Sequence, residues 1–383
     1  MDALLAAGRR LEEAGRRRLF AFLMHRSARA RSVAANALVG RPFRVLFIAE
    51  DAIGDTILTL PAIRAVAEGH PDTVVDVVTW SGAAEILQHA PYVRRTIVFP
   101  RYDRRRLRPA IAIRQRGPYD VVIDTMVLCR HVRSRSFAMM LASGARYWVG
   151  EDDRGSDYLL NVTARRPTTP ITHLDRILAL AAPFRSRQPD KRPLLCVGEG
   201  QRGAAAQTWN IDHGETRVLV NVSTNGSERQ WPAWRFARVA AHVRRRLPGA
   251  RIVVVALERH RLAAELVASA GAATVLVPTL TQLLALVESA DIVVSPDTAV
   301  CHLASAFRRP LVSIHNYGKD VWHPFDTPGI RVVGPTSDSF DDIADDRVIA
   351  AFDRVAADRT VQERWEHDAL LGAPSSMKQL TAS

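Results

Sequence analysis

Asp55 stands directly after Gly54 in AEDAIGDTILTLP, residues 49–61. The glycine allows close backbone approach, and the carboxylate can take a proton from a substrate hydroxyl. A second stretch, SPDTAVCHLASAF at 295–307, runs from an apolar strand into a helix. The amides of Thr298, Ala299 and Val300 would open that helix, and such a terminus attracts an anion. Asp297 or Thr298 can cap it, and His302 would add a donor on the exposed face of its first turn. In NVSTNGSERQWP, residues 221–232, Ser223, Thr224 and Asn225 offer neutral donors. Arg229 in the same stretch offers a fork suited to phosphate oxygens. Glu258, just past another apolar run, can accept from ribose hydroxyls. Taken singly, each of these residues also suits a helix cap, a surface turn or a solvated position. Together they share one placement, because every one follows a strand.

Those strands are short, continuous apolar runs. Val45–Ala49, Val74–Thr79, Thr96–Phe99 and Val121–Asp124 form one series. Val218–Val222, Ile252–Ala256, Thr274–Val277, Ile292–Ser295 and Leu311–Ile314 form a second. Helical stretches separate them, which predicts βαβ units and parallel sheets covered on both faces. The expected class is α/β, with two Rossmann-like doubly wound domains facing a central cleft. Ligands of such sheets bind beyond the carboxyl ends of the strands. The expected boundaries are a basic amphipathic helical extension at 1–40, a first domain at 41–185 and a linker at 186–215, rich in proline, glycine and charge. A second domain follows at 216–345, then a closing helix and loose tail at 346–383.

Composition narrows the function classes. The chain has 383 residues, 47% hydrophobic and 24% charged, enough for two packed cores. Lys and Arg exceed Asp and Glu by 52 − 40 = 12, which suggests an anionic partner. Aromatics are only 7% and no RNA-stacking motif is present, so nucleic acid is not the expected partner. There is no G-x-G-x-x-G and no G-x-x-x-x-G-K-[ST], which argues against a dinucleotide enzyme or a P-loop ATPase. Cys129, Cys196 and Cys301 lie far apart, fitting neither a zinc site nor a disulfide framework, and a reducing cytosol is the simplest home. No run of 18 apolar residues occurs. The basic, amphipathic first 40 residues suit either docking on the following domain or lying on anionic lipid.

The chain resembles glycosyltransferase family 9, the ADP-heptose:lipopolysaccharide heptosyltransferases. The likeness spans roughly residues 44–350. It rests on GDTILTLPAIRAV, YDVVID, SRSFAMMLASGARYWVG, THLDRILAL, ERQWPAWRFARVA and SPDTAVCHLASAFRRPLVSI. The resemblance implies the GT-B fold and inverting transfer of a sugar, heptose first, from a nucleoside diphosphate to an acceptor hydroxyl. ADP-heptose is the implied donor, and a phosphorylated glycolipid or glycan such as lipopolysaccharide core the implied acceptor. No cofactor or metal is implied, and the cytoplasmic face of the membrane is the implied location. By position, Asp55 matches the family's catalytic base. Thr224 and Arg229 match its diphosphate contacts, and Glu258 its nucleoside-contacting acid. Asp297, Thr298, Ala299 and His302 match a D-T-G-x-x-H element. Arg130, Arg133 and Arg135 are the arginines expected to meet the acceptor. Ala299 departs from the family's glycine and Arg229 from its lysine. These departures keep open another sugar nucleotide, a different glycan or protein acceptor, a nucleotide-sugar 2-epimerase, or a non-catalytic sugar-nucleotide-binding protein.

Overall fold

The computed structural model describes residues 38–49, 52–99, 108–125, 134–151, 160–164, 172–185, 188–210, 215–226, 229–316, 324–335, 340–357 and 365–367. The expected helical extension lies outside them apart from its last residues, as do Arg130 and Arg133. The chain divides into two compact units, Met1–Leu194 and Leu195–Ser383.

The first unit is built on strands β1 (Arg44–Ile48), β2 (Val74–Trp80), β3 (Val93–Phe99), β4 (Val121–Asp124), β5 (Tyr147–Glu151) and β6 (Val162–Ala164). They form one parallel sheet in the order β3-β2-β1-β4-β5-β6. Its helices are α1 (Ile53–Ala67), α2 (Ser81–Leu87), α3 (Arg108–Arg116), α4 (Ser134–Ala142) and α5 (His173–Ala179). Continuous branched runs such as VLFI in β1 are buried on both faces, as helix-covered strands require. α5 starts at a reciprocal cap: the Thr172 hydroxyl accepts from Asp175 N, and the Asp175 carboxylate accepts from Thr172 N. Strands β5 and β6 had no counterpart among the expected runs. YWVGE carries a glycine and a charge, and VTA is too short to show a period.

The second unit contains α6 (Glu199–Trp209), β7 (Arg217–Asn221), α7 (Ala233–Arg246), β8 (Arg251–Val255), a 3₁₀ turn (Glu258–His260), α8 (Arg261–Gly271), β9 (Thr274–Leu276) and α9 (Leu280–Ser289). It continues with β10 (Ile292–Pro296), α10 (Ala299–Ala306), β11 (Leu311–His315), β12 (Gly329–Val333), α11 (Asp345–Ala357) and β13 (Trp365–His367). Its parallel sheet runs β13-β12-β11-β10-β7-β8-β9. Trp231 and Phe236, ring centroids 4.6 Å apart and edge to face, sit fully buried in its core.

Two stretches differ from expectation. Residues 186–215, read as a linker, contain α6. Its Trp209 is buried and donates to Ser289 Oγ at 2.9 Å, while Arg202 forks onto Glu288. The flanking prolines and glycines masked a helical core, GQRGAAAQTW. The segment read as a closing helix and loose tail holds β13 as well as α11, since β12 has an edge left to pair. Gly329 opens β12 at φ +145°, and a Cβ there would lie 1.9 Å from Leu311 O. No helix among the described residues is long and apolar enough to cross a membrane.

Candidate active site

In the second unit the strand order reverses between β7 and β10, and the loops leaving those two strands flank the switch point. Asn221, the last residue of β7, is buried there. Its Nδ2 lies within 3.0–3.2 Å of Ser295 Oγ, Thr298 Oγ1 and Ser223 O, and its Oδ1 accepts from Ser223 N. One amide thus ties the loop after β7 to the loop after β10.

Thr298 is the N-cap of α10, in extended geometry, with its Oγ1 accepting from Val300 N at 3.3 Å. Cys301 N donates to Thr298 O at 3.0 Å, and Asp297 N to Ile314 O at 2.9 Å. The expectation that the Val300 amide also faces a ligand is therefore corrected, because the cap occupies it. At most the amides of Thr298 and Ala299 remain for an anion. His302 is corrected too: it is buried, not on an exposed face. α10 is packed against the sheet and α9, so Val300–Ser305 are all buried. The Asp297 carboxylate is nearly enclosed, and its Oδ1 lies 3.8 Å from Nδ1 of His315 at the end of β11.

Thr224 is buried inside the turn after β7. Its hydroxyl donates at 2.8 Å to Gly226 O and lies 3.1 Å from Gln230 Oε1, while Gln230 Nε2 donates to Val222 O. Arg229 follows, half-buried, with its amide on Gly226 O. Trp231 anchors the far end of this loop, donating from Nε1 to Ile343 O at 3.0 Å. Glu258 opens the 3₁₀ turn that follows β8. Its side chain is 69% exposed and forks onto Arg261 at 2.8 Å, and that hydrogen bond holds the carboxyl below its ordinary range.

In the first unit the order reverses between β1 and β4. Asp55 occupies the first turn of α1, just after β1. A carboxylate is favoured at this end of a helix by the backbone dipole. Its side chain is 28% exposed, and Oδ1 lies 4.0 Å from Nε2 of buried His173 on α5. Burial, and then the charge of Arg176, push the His173 pKa down to about 4. The imidazole is therefore neutral at pH 7, and the pair is not an ion pair despite its spacing. Arg176 is itself engaged, forking onto buried Glu151 at 3.2 and 2.5 Å. Arg135, in the first turn of α4, lies with its guanidinium 4.9 Å above the Phe99 ring.

The family model for glycosyltransferase family 9 (heptosyltransferase) matches residues 106–330, more than half of the chain. The chain belongs to glycosyltransferase family 9. The sequence resemblance was to this family, and the two parallel, helix-flanked sheets are those of its GT-B class. A family 9 glycosyltransferase from Veillonella parvula DSM 2008 is similar at TM-score 0.73 and 16% identity, over 85% of this chain and 100% of that one. ADP-heptose lps heptosyltransferase II from E. coli is similar at TM-score 0.64 and 18% identity, over 82% of this chain and 98% of that one. E. coli heptosyltransferase WaaC, solved with ADP, is similar at TM-score 0.62 and 20% identity, also over 82% and 98%. No curated protein sequence is similar enough to count as a match.

Three residues of this family 9 chain that the sequence reading passed over stand at these sites. His173 was hidden in a helix start, although the T-x-x-D cap signalled where it would sit. Asn221 closes an apolar strand, and a polar residue there is a usable signal of a switch point. His315 comes beside Asp297 only through the pairing of Pro296 with Ile314, which no linear pattern encodes.

Proposed function

We propose that the chain is an inverting, metal-independent glycosyltransferase carrying a sugar from a nucleoside diphosphate to an acceptor hydroxyl. ADP-heptose is the proposed donor and a phosphorylated glycolipid of the lipopolysaccharide-core kind the proposed acceptor. The observation that carries this reading is Asp55, held at a helix start beside an imidazole that stays uncharged. A cation there would weaken the carboxylate as a base, and a neutral ring does not.

Asp55 takes the proton of the acceptor hydroxyl as that oxygen bonds to the anomeric carbon. The bond from carbon to the diphosphate oxygen breaks on the opposite side, and the nucleoside diphosphate leaves with the electron pair. The anomeric centre is inverted. The amides of Thr298 and Ala299, the α10 terminus and Arg229 meet charge that grows on the leaving diphosphate. Such donors act on rate because that charge belongs to the transition state. Arginine and helix terminus together supply the positive potential, so the reaction as proposed draws on no metal. A donor other than ADP-heptose is the second reading. Ala299 favours it, since its methyl stands at the turn where the family has glycine.

Asp55→Asn is expected to keep the fold and lose about 100-fold or more in turnover at saturating donor. Near-normal transfer would remove Asp55 from the chemistry. Arg229→Ala is expected to weaken calorimetric binding of ADP by about tenfold or more. Wild-type affinity would strip Arg229 of its phosphate role. Thermal stabilisation by ADP-, GDP-, UDP- and dTDP-sugars separates the two donor readings, and donor turnover without any acceptor would instead mark an epimerase.

A further inference from the structure

The loop that carries Thr224 and Arg229 is held from one side by the segment leaving β8. Leu257 N donates to Ser223 Oγ at 2.8 Å, and Ser223 Oγ lies 3.0 Å from His260 Nδ1. Arg259 donates to Thr224 O at 2.7 Å and reaches Asn225 Oδ1 at 3.4 Å. Three residues of one segment therefore hold three successive residues of the other. Ser223 and Thr224 are buried and their partners lie toward the surface, so the bonds are part-buried and a lost partner leaves a buried acceptor short of one bond.

Ser223 Oγ accepts from Leu257 N on one lone pair, and its second lone pair and its proton both remain to engage His260 Nδ1. Partial burial, then the adjacent charge of Arg259, keeps the His260 pKa below its ordinary value. The other charged groups of the elements around it are Glu258 and Arg261, paired with each other, Glu265 on α8, and Arg229 on the loop.

We propose that Arg259 and His260 are positioning residues of the donor half, holding residues 223–225 so that the turn after β7 presents Thr224 and Arg229. This rests on the reading that the loop holds the donor diphosphate.

The test is calorimetric binding of ADP at pH 7.5 to wild type, Arg259→Met, Arg259→Lys, His260→Ala, His260→Asn and Arg229→Ala, with donor KM and kcat beside it. Arg259→Met is expected to bind ADP about tenfold more weakly, the worth of one hydrogen bond from a charged donor, and to raise donor KM while kcat at saturating donor holds. Arg259→Lys keeps a donor to Thr224 O and should recover most of that loss. His260→Ala removes the partner of Ser223 Oγ and should also raise donor KM while kcat holds, and His260→Asn, which can bond that hydroxyl, should recover part of the loss. Wild-type affinity in Arg259→Met overturns the proposal, as does wild-type affinity in His260→Ala. Arg229→Ala distinguishes the two levels. If it too binds as wild type, the donor reading of the loop fails; if it alone is weakened, only the positioning role fails.

Discussion

His173 takes its proton late. In the unfolded chain an imidazole titrates near 6.5, and in the folded protein this one titrates at about 4. Between those values the unfolded state binds the proton and the folded state does not. Stability therefore falls as pH drops from 6.5 toward 4 and is fully present above 6.5. His173→Gln should abolish this component, leaving a loss from pH 7 to 5 smaller than wild type by about 2 kcal/mol in urea unfolding. Equal losses in the two proteins would show that His173 is charged or exposed when folded. The same neutrality means that an acid limb of the activity profile near pH 6 would not belong to His173. At this scale the sequence was informative about residue type but not about contact. Asp55 and Thr298 stand at helix starts because glycine, proline and capping signals mark helix starts. That Thr298 spends its hydroxyl on Val300 and Asn221, or that Glu258 turns to Arg261, depends on rotamers and neighbours that no spacing encodes.

Elements carry a different kind of constraint. Asp76, fully buried on β2, accepts two bonds from Arg94 of β3 at 2.9 and 2.7 Å and one from Tyr119 at 2.9 Å. Burial, followed by the bond to Asp76, pushes the Tyr119 phenol well above its ordinary range. The network joins the edge strand β3 to the centre of its sheet. Arg94→Met should cost about 3 kcal/mol, because it strands a buried carboxylate, and Asp76→Asn in the same chain should recover part of it. Urea unfolding of the first unit decides this, and a cost near zero would mean that water reaches Asp76. The strands were readable where branched residues ran together, as in β1, β7, β8 and β10. They were readable only in part where the run was broken, as in β3, of which Thr96–Phe99 was expected and the start around the paired Arg94 and Arg95 was not. α6 escaped because helix propensity inside GQRGAAAQTW competes with loop signals at both of its ends.

At the scale of the molecule, two parallel sheets follow from two series of apolar runs, and family membership follows from the motifs between them. Neither the sugar nor the acceptor follows, because a change as small as one methyl can alter what a pocket accepts without disturbing the fold. The net charge of +12 sets a prediction here. Wild type should sediment with vesicles rich in anionic lipid at low salt and be released near 0.5 M, where screening acts within roughly 4 Å. Removing residues 1–40 should weaken this binding. Equal sedimentation with neutral vesicles, or no effect of the truncation, would leave the basic extension without a membrane role. Gly329 has a bearing on any saturation mutagenesis of this chain. With Leu311 O so close to where a first side-chain carbon would go, even alanine must prise two strands apart. A map of intolerant codons should therefore score it beside the proposed base Asp55, although Gly329 opens a strand and brings no side chain. Soluble yield, which collapses at one position and holds at the other, is the readout that tells scaffold from chemistry.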